Sequence, residues 1–247
     1  MPPTLKELAL RYLREKLESG DIKPGERLSE LALSKEIGIS RTPIREAINQ
    51  LASEGFVDMA PREGAFVKQP SLREFKEFFE IREVLESHAA AKIAAASPSP
   101  AALAPLTALH NQIKALLDGA LRDGRSTLSE AEIRKMFELD SAFHMTIIRM
   151  ADNERLERLV RDSRVIGRLF DTFTPELTLE ELKDACICHA DILAALGVHD
   201  PKLSQERMSS HIRDSYELRL KKLIAHESVP AMGNVPPPLR RFMNESA

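Results

Sequence analysis

The 247-residue sequence is 43% hydrophobic and 30% charged, with 38 acidic against 35 basic side chains, which excludes a disordered chain. No apolar run approaches the ~20 residues that span a bilayer, and acids and bases interleave through the first twenty positions, unlike a signal peptide. Two cysteines, Cys186 and Cys188, exclude a disulfide framework, so a cytoplasmic location is the expectation. Only ten glycines stand among many Ala, Leu, Glu and Arg, a balance that favours helices.

In chain order, Leu5, Leu8, Leu13 and Leu17 predict a helix over 4–19 that stops at Ser19-Gly20. Lys23-Pro24-Gly25 predicts a turn. Ser29 is a natural N-cap for a short helix over 29–37, with Leu33 and Ile37 on one face. Gly38-Ile39-Ser40 makes a tight turn into a third helix over 41–54, with Ile44, Ala47, Ile48 and Leu51 facing inward. A hairpin of two short strands, 56–59 and 65–68, follows, joined by Ala60-Pro61-Arg62-Glu63-Gly64.

Residues 67–71 read as a linker, and everything beyond is helical. Ser71 with Glu74, Ser129 with Glu132 and Thr178 with Glu181 have the spacing of capping boxes. They open helices over 72–96, 129–151 and 178–196. Ser99-Pro100 opens another to about 121. Two more fit 153–170 and about 201–225, which makes six in all. The tail, 227–247, carries Pro236-Pro237-Pro238 and little periodicity and is expected to be mobile. The expected fold is therefore mainly α: a winged helix-turn-helix with a small β-hairpin wing over 1–70, and an all-α bundle over 71–226.

Residues 1–70 hold 11 bases and 11 acids, so any DNA binding there must come from local arrangement, not bulk charge. A recognition helix enters the major groove N-terminus first. Its first turn here offers Ser40, Arg41, Thr42 and Arg45, the two arginines four apart on one face. Arginine presents a planar fork of donors to guanine or phosphate, and backbone N–H groups at a helix start suit a phosphate oxygen. Arg62 supplies a cation at the hairpin tip, and Gly64 allows close approach. Two arginines alone would be equally consistent with a solvated face.

The run from Ser19 to Val67 resembles the DNA-binding domain of the GntR family of bacterial transcription regulators. The matching residues include Gly20, Pro24-Gly25, Leu28, Leu33, the stretch Ile37-Gly38-Ile39-Ser40-Arg41-Thr42-Pro43, Arg45-Glu46-Ala47, Leu51, Glu54-Gly55, Gly64 and Val67. The resemblance implies that Arg41 and Arg45 contact bases or phosphates, Ser40 and Thr42 contact the backbone, and the Arg62–Gly64 wing reaches the minor groove. Ser34 departs from it, standing where a small apolar residue is usual.

Among seven histidines, three have suggestive surroundings. Asp140 and His144 are four apart on one helix face, with Phe143 and Ile147 placing that face near the interior. His189 has Ile192 and Leu196 as apolar companions, and His211 has Met208 and Ile212. An interior carboxylate is costly unless paired or bound to a metal, and one Asp with three imidazoles is a sound ligand set for a divalent transition metal. His88, His110, His199 and His226 read as structural or solvated. Cys186 and Cys188 are two apart, point to different sides of a helix and read as packing residues.

The stretches Leu139–Leu156 and His189–Ile212 resemble the ligand-binding FCD domain of the FadR-like branch of the same family. That resemblance assigns metal binding to Asp140, His144, His189 and His211, the last two 22 residues apart. Three imidazoles with one carboxylate could hold zinc, nickel, manganese or iron, and the resemblance implies a small carboxylate as effector. Arg82, in Ile81–Ala90, would pair that carboxylate, with Arg168 placed there by rough alignment. The expected protein is a regulator of the repressor kind, a homodimer on a pseudo-palindromic double-stranded operator, with no membrane partner. A helical metallohydrolase is disfavoured, since no adjacent His-Asp pair or general base accompanies the metal residues. An architectural DNA-binding protein would leave Asp140 and the three histidines unexplained.

Overall fold

The computed structural model describes residues 3–69, 71–161 and 176–227. Helices α1 (Leu5–Ser19), α2 (Glu30–Ile37) and α3 (Arg41–Ser53) form the N-terminal unit with strands β1 (Arg27–Leu28), β2 (Val57–Ala60) and β3 (Gly64–Val67). Thr4 and Glu7 close a capping box at the start of α1, and Gly20 ends it in the left-handed conformation that glycine adopts without strain. Leu13, Leu17, Ile44, Ala47, Leu51, Phe56 and Val67 make one apolar core. Ser34, the departure noted above, donates its hydroxyl to the Ile39 carbonyl at 2.6 Å and so fastens the α2–α3 turn.

The wing departs from the expected two-stranded hairpin. It is a three-stranded antiparallel sheet of order β1-β3-β2, in which Arg27 pairs with Phe66 and Leu28 with Ala65. Both hairpin strands are displaced by one residue from expectation, because Ala60 pairs with Gly64 at the turn and Val57 with Val67 at the open end. β1 is too short to show an alternating pattern; its strand conformation comes from β3.

The linker carries an ion pair between Lys68 and Glu74 in the first turn of α4 (Leu72–Ala95). The helices that follow are α5 (Pro100–Arg122), α6 (Glu130–Met150), α7 (Leu179–Gly197) and α8 (Pro201–Glu227), with a further helical stretch over 154–161. The three expected capping boxes are all formed. α4 lies along α8, while α5 packs on α6 and α7. Phe75, Phe79, Phe143, Ile147, Ile192 and Ile212 fill the larger core of the bundle, and Ile113, Phe137 and Leu182 fill a second. The last helix runs two residues past the expected end. The tail from 228 on and Arg168 lie outside the described residues. Among the described residues, no helix is long and apolar enough to cross a membrane.

Candidate functional site

Two groups of side chains stand out, one in each part of the chain. In the first, Ser40 is the N-cap of α3, yet its hydroxyl makes no capping bond. Ser40, Arg41, Thr42 and Arg45 are all exposed. The arginines are not merely solvated: Glu30, at the start of α2, accepts from Arg45 Nε and Nη2 at 2.8 and 2.9 Å and from Arg41 Nη2 at 2.9 Å. Hydrogen bonds from Arg45, and behind it Arg41, pull the Glu30 carboxyl down to about 2 against its partial burial. Glu30 thus draws both guanidinium groups together beside the first turn of α3. An open groove of about 280 Å³ runs from this face to the sheet, lined by Arg27, Arg41, Arg45, Asn49 and Gly64. Gly64 has φ +110°, and a Cβ there would meet Arg27 Nε at 3.3 Å. Arg62 is exposed at the turn with φ 67°.

The second group is in the bundle. Asp140 and His144 on α6, His189 on α7 and His211 on α8 bring one ligand atom each within 4.8 Å of all the others. His144 and His189 are wholly buried and His211 nearly so. Asp140 keeps 13% of its side chain accessible. Asp140 Oδ1 lies 3.3 Å from His189 Nε2 and 3.7 Å from His144 Nε2, while the Nε2 atoms of His144 and His211 face one another at 3.1 Å. Phe143 stacks on His189 at 4.2 Å between ring centres, and the His144 and His211 rings stack at 5.1 Å.

Electrostatics sharpen this picture. Burial alone would raise the Asp140 carboxyl, but His144 and His189 beside it hold it well below the carboxylate range. Burial pushes His211 far down, and the neighbouring imidazoles push it further. Burial also lowers His189, against the pull of Asp140. His144 is raised because Glu86 and Asp140 outweigh its burial. A buried imidazole ordinarily has a well-directed hydrogen bond at its ring nitrogens. Neither ring nitrogen of His189 has one. An anionic oxygen with three convergent Nε2 atoms fits a divalent transition metal, which would satisfy all four at once.

Asp140 and His211 line a small cavity of about 40 Å³, whose rim includes Glu181, Ser215, Arg219 and Lys222. Lys222 is tied across the rim to Glu181 at 2.7 Å and to the Glu176 carbonyl at 2.6 Å. Arg82 does not line this cavity. It is buried on α4, its Nε donating to Glu86 Oε1 at 2.9 Å, though its charge still depresses His189 and His211. His88 and His199 are exposed and His110 is half-buried, none of them in the cluster. Cys186 is a buried packing residue of the second core, its thiol pushed up to about 11 by burial.

Sequence reasoning did not single out Glu30 or Glu86. Glu86 left a trace, four residues after Arg82 on the buried face of one helix. Glu30 left none, since it meets Arg45 across fifteen residues and a turn.

A three-helix unit with a wing and an arginine-bearing recognition helix, joined to a helical bundle, defines a DNA-binding transcription regulator. Residues 5–67 match the model for bacterial regulatory proteins of the gntR family, and residues 77–214 match the FCD domain. The chain belongs to the GntR family and carries an FCD domain, as the sequence resemblance implies. It is 32% identical over 139 residues to the Nta operon transcriptional regulator of Aminobacter aminovorans, a match covering 56% of this chain and 60% of that one. It is 27% identical over 215 residues to the HTH-type transcriptional repressor RspR of Escherichia coli K12, covering 84% and 85% of the two chains. In fold it is similar to E. coli McbR/YncC, with a TM-score of 0.73 at 22% identity over 90% of this chain and 99% of that one. The family and these relatives are transcription regulators, not enzymes.

Proposed function

We propose that this regulator is a repressor, acting as a homodimer on a pseudo-palindromic operator, and that a small organic acid bound at a metal in the bundle controls its operator binding. On this reading residues 1–70 bind DNA, residues 71–226 bind effector and dimerise, and residues 227–247 are a tail. The protein acts where its DNA is, in the cytoplasm. Arg41 and Arg45 read base edges or phosphates, Ser40 and Thr42 bind phosphate oxygens, and Arg62 and Gly64 approach the minor groove. Two recognition helices would meet successive major grooves roughly 34 Å apart. The name of the RspR relative supports the repressor assignment.

The observation that carries the bundle's role is the convergence of Asp140, His144, His189 and His211 from three helices on one buried point. These four would hold zinc, nickel, manganese or iron. When bound, such an ion supplies a Lewis-acid attraction for a carboxylate oxygen. The chain's own part is to present that point to the cavity beside Asp140 and His211 and to keep bulk water out. Arg82, paired with Glu86 and off the cavity, adds only a positive potential near His189 and His211, and Arg168 is the further cation proposed for the effector. The cavity beside Asp140 and His211 is small, about 40 Å³, and Lys222 ties Glu176 and Glu181 together at its rim. On this reading the rim held by Lys222 opens further when the effector enters, and that movement couples effector binding to the bundle.

The test is operator binding by fluorescence anisotropy with zinc-loaded protein against a panel of mono-, di- and hydroxycarboxylates. At least one should change operator affinity by about 5-fold or more, the lower edge of ordinary allosteric coupling. The effect should vanish in His211→Ala. A full effector response in that variant would refute the proposed role of the cluster.

A further inference from the structure

Helix α4 carries two ionisable side chains into the bundle interior, Arg82 at 6% and Glu86 at 0% exposure. Taking such groups out of water is costly, and an apolar pair of similar volume often stabilises a fold as well. Their presence therefore calls for a reason beyond packing. The geometry supplies one. Glu86 Oε1 accepts from Arg82 Nε at 2.9 Å, while Glu86 Oε2 makes an ion-pair contact with His144 Nδ1 at 2.5 Å, close but not well directed as a hydrogen bond. The other nitrogen of His144, Nε2, is the one that faces Asp140 and His211. The Arg82 guanidinium is itself held over the rings of Phe79 and Phe78, at 5.3 and 5.6 Å.

We propose that Glu86 is a positioning residue of the metal centre: its carboxylate holds the Nδ1–H of His144 so that Nε2 is the ligating nitrogen, and Arg82 anchors that carboxylate. The inference rests on the metal reading above and deepens it. A histidine ligand with its far nitrogen bound to a carboxylate is fixed in tautomer and ring orientation and is a more basic donor. Among the described residues no carboxylate is paired with His189 Nδ1, and that ring is held by stacking on Phe143 instead. The site thus has four ligands from α6, α7 and α8, and a brace from α4. That brace makes α4, which follows directly from the DNA-binding unit, part of the centre.

The test compares wild type, Glu86→Gln and Glu86→Asp. Gln keeps the volume and removes the charge; Asp keeps the charge and draws the carboxylate back by one methylene. Zinc affinity is measured by competition with a chelator, and folding by thermal melts. The His144 Nδ1 proton is followed by NMR in the zinc-free protein as a downfield, slowly exchanging resonance. Glu86→Gln should weaken zinc binding by about 10- to 100-fold, the usual cost of losing such a partner, and move the Nδ1 resonance upfield. Glu86→Asp should also bind zinc more weakly than wild type, and it carries the test if Glu86→Gln does not fold. Equal zinc affinity in wild type and a folded Glu86 variant, or a His144 Nδ1 resonance unchanged in Glu86→Gln, overturns the role of Glu86 alone. A wild type that binds no zinc overturns the metal reading and this one together.

Discussion

Replacing Arg45 by alanine removes one guanidinium from the first turn of α3 and leaves the core untouched. The side chain is 57% exposed, and its folded-state partner is Glu30 at 2.8 Å. An exposed pair of this kind contributes about 0.2–1 kcal/mol, so the melting temperature should hardly move. A two-pronged arginine contact to guanine is worth about 1–3 kcal/mol of discrimination. On a two-fold operator the contact is made twice, about 2–6 kcal/mol in all, or roughly 30-fold to 20,000-fold at 1.4 kcal/mol per decade. Part of the Glu30 pairing must be given up on docking, which places the expected loss near the lower end, about 100-fold. The assay is fluorescence anisotropy on a duplex selected from a random pool, with a scrambled duplex beside it, at two salt concentrations. If Arg45 reads a base, the specific duplex loses affinity and the scrambled one does not. If it binds phosphate, both weaken and the salt slope falls by about 0.9 per half-site. Unchanged affinity and unchanged slope in a folded Arg45→Ala protein would refute the recognition-helix assignment.

Three further outcomes follow from the same structure. Phe143→Ala removes a fully buried ring stacked on His189, and should cost about 3–5 kcal/mol in denaturant unfolding while weakening zinc binding; a loss under 1 kcal/mol would contradict the packing described. Gly38→Ala meets no atom within 4 Å but must adopt φ +76°, so it should cost about 1 kcal/mol through backbone strain alone, and a neutral result by denaturant titration would refute that. In metal-free protein, His189 and His211 are pushed below their ordinary values and lose stability as pH falls, as does Asp140 at lower pH. His144 is shifted the other way and opposes them. The two depressed imidazoles should outweigh the one raised, so thermal melts in chelator should show the melting temperature falling from pH 7.5 to 5.5, and a rise would contradict the burial argument.

What the sequence made legible is local. Each capping box joins residues three apart, and each is formed as its spacing implied. Asp140 and His144 share a face because helical geometry requires it, and their apolar neighbours mark that face as interior. Placing His189 and His211 beside them needed the resemblance to a family, since nothing in helical periodicity states which faces of α6, α7 and α8 meet. The features that escaped are products of long-range pairing. β1 is two residues long and owes its conformation to β3. Glu30 grips Arg45 across a turn, and Glu86 meets His144 across 58 positions of chain. An acid on a buried helix face four residues from an arginine could have been flagged as a paired charge; its second partner could not.

Metal content is the most direct measure of whether Asp140, His144, His189 and His211 form a metal centre. Protein purified without chelator, and again after zinc addition and desalting, would be analysed for elements beside His211→Ala. The wild type should hold about one divalent transition-metal ion per chain through desalting, and the variant should lose most of it. Wild-type protein that retains no metal after loading, or a variant that retains as much as the wild type, would contradict that assignment.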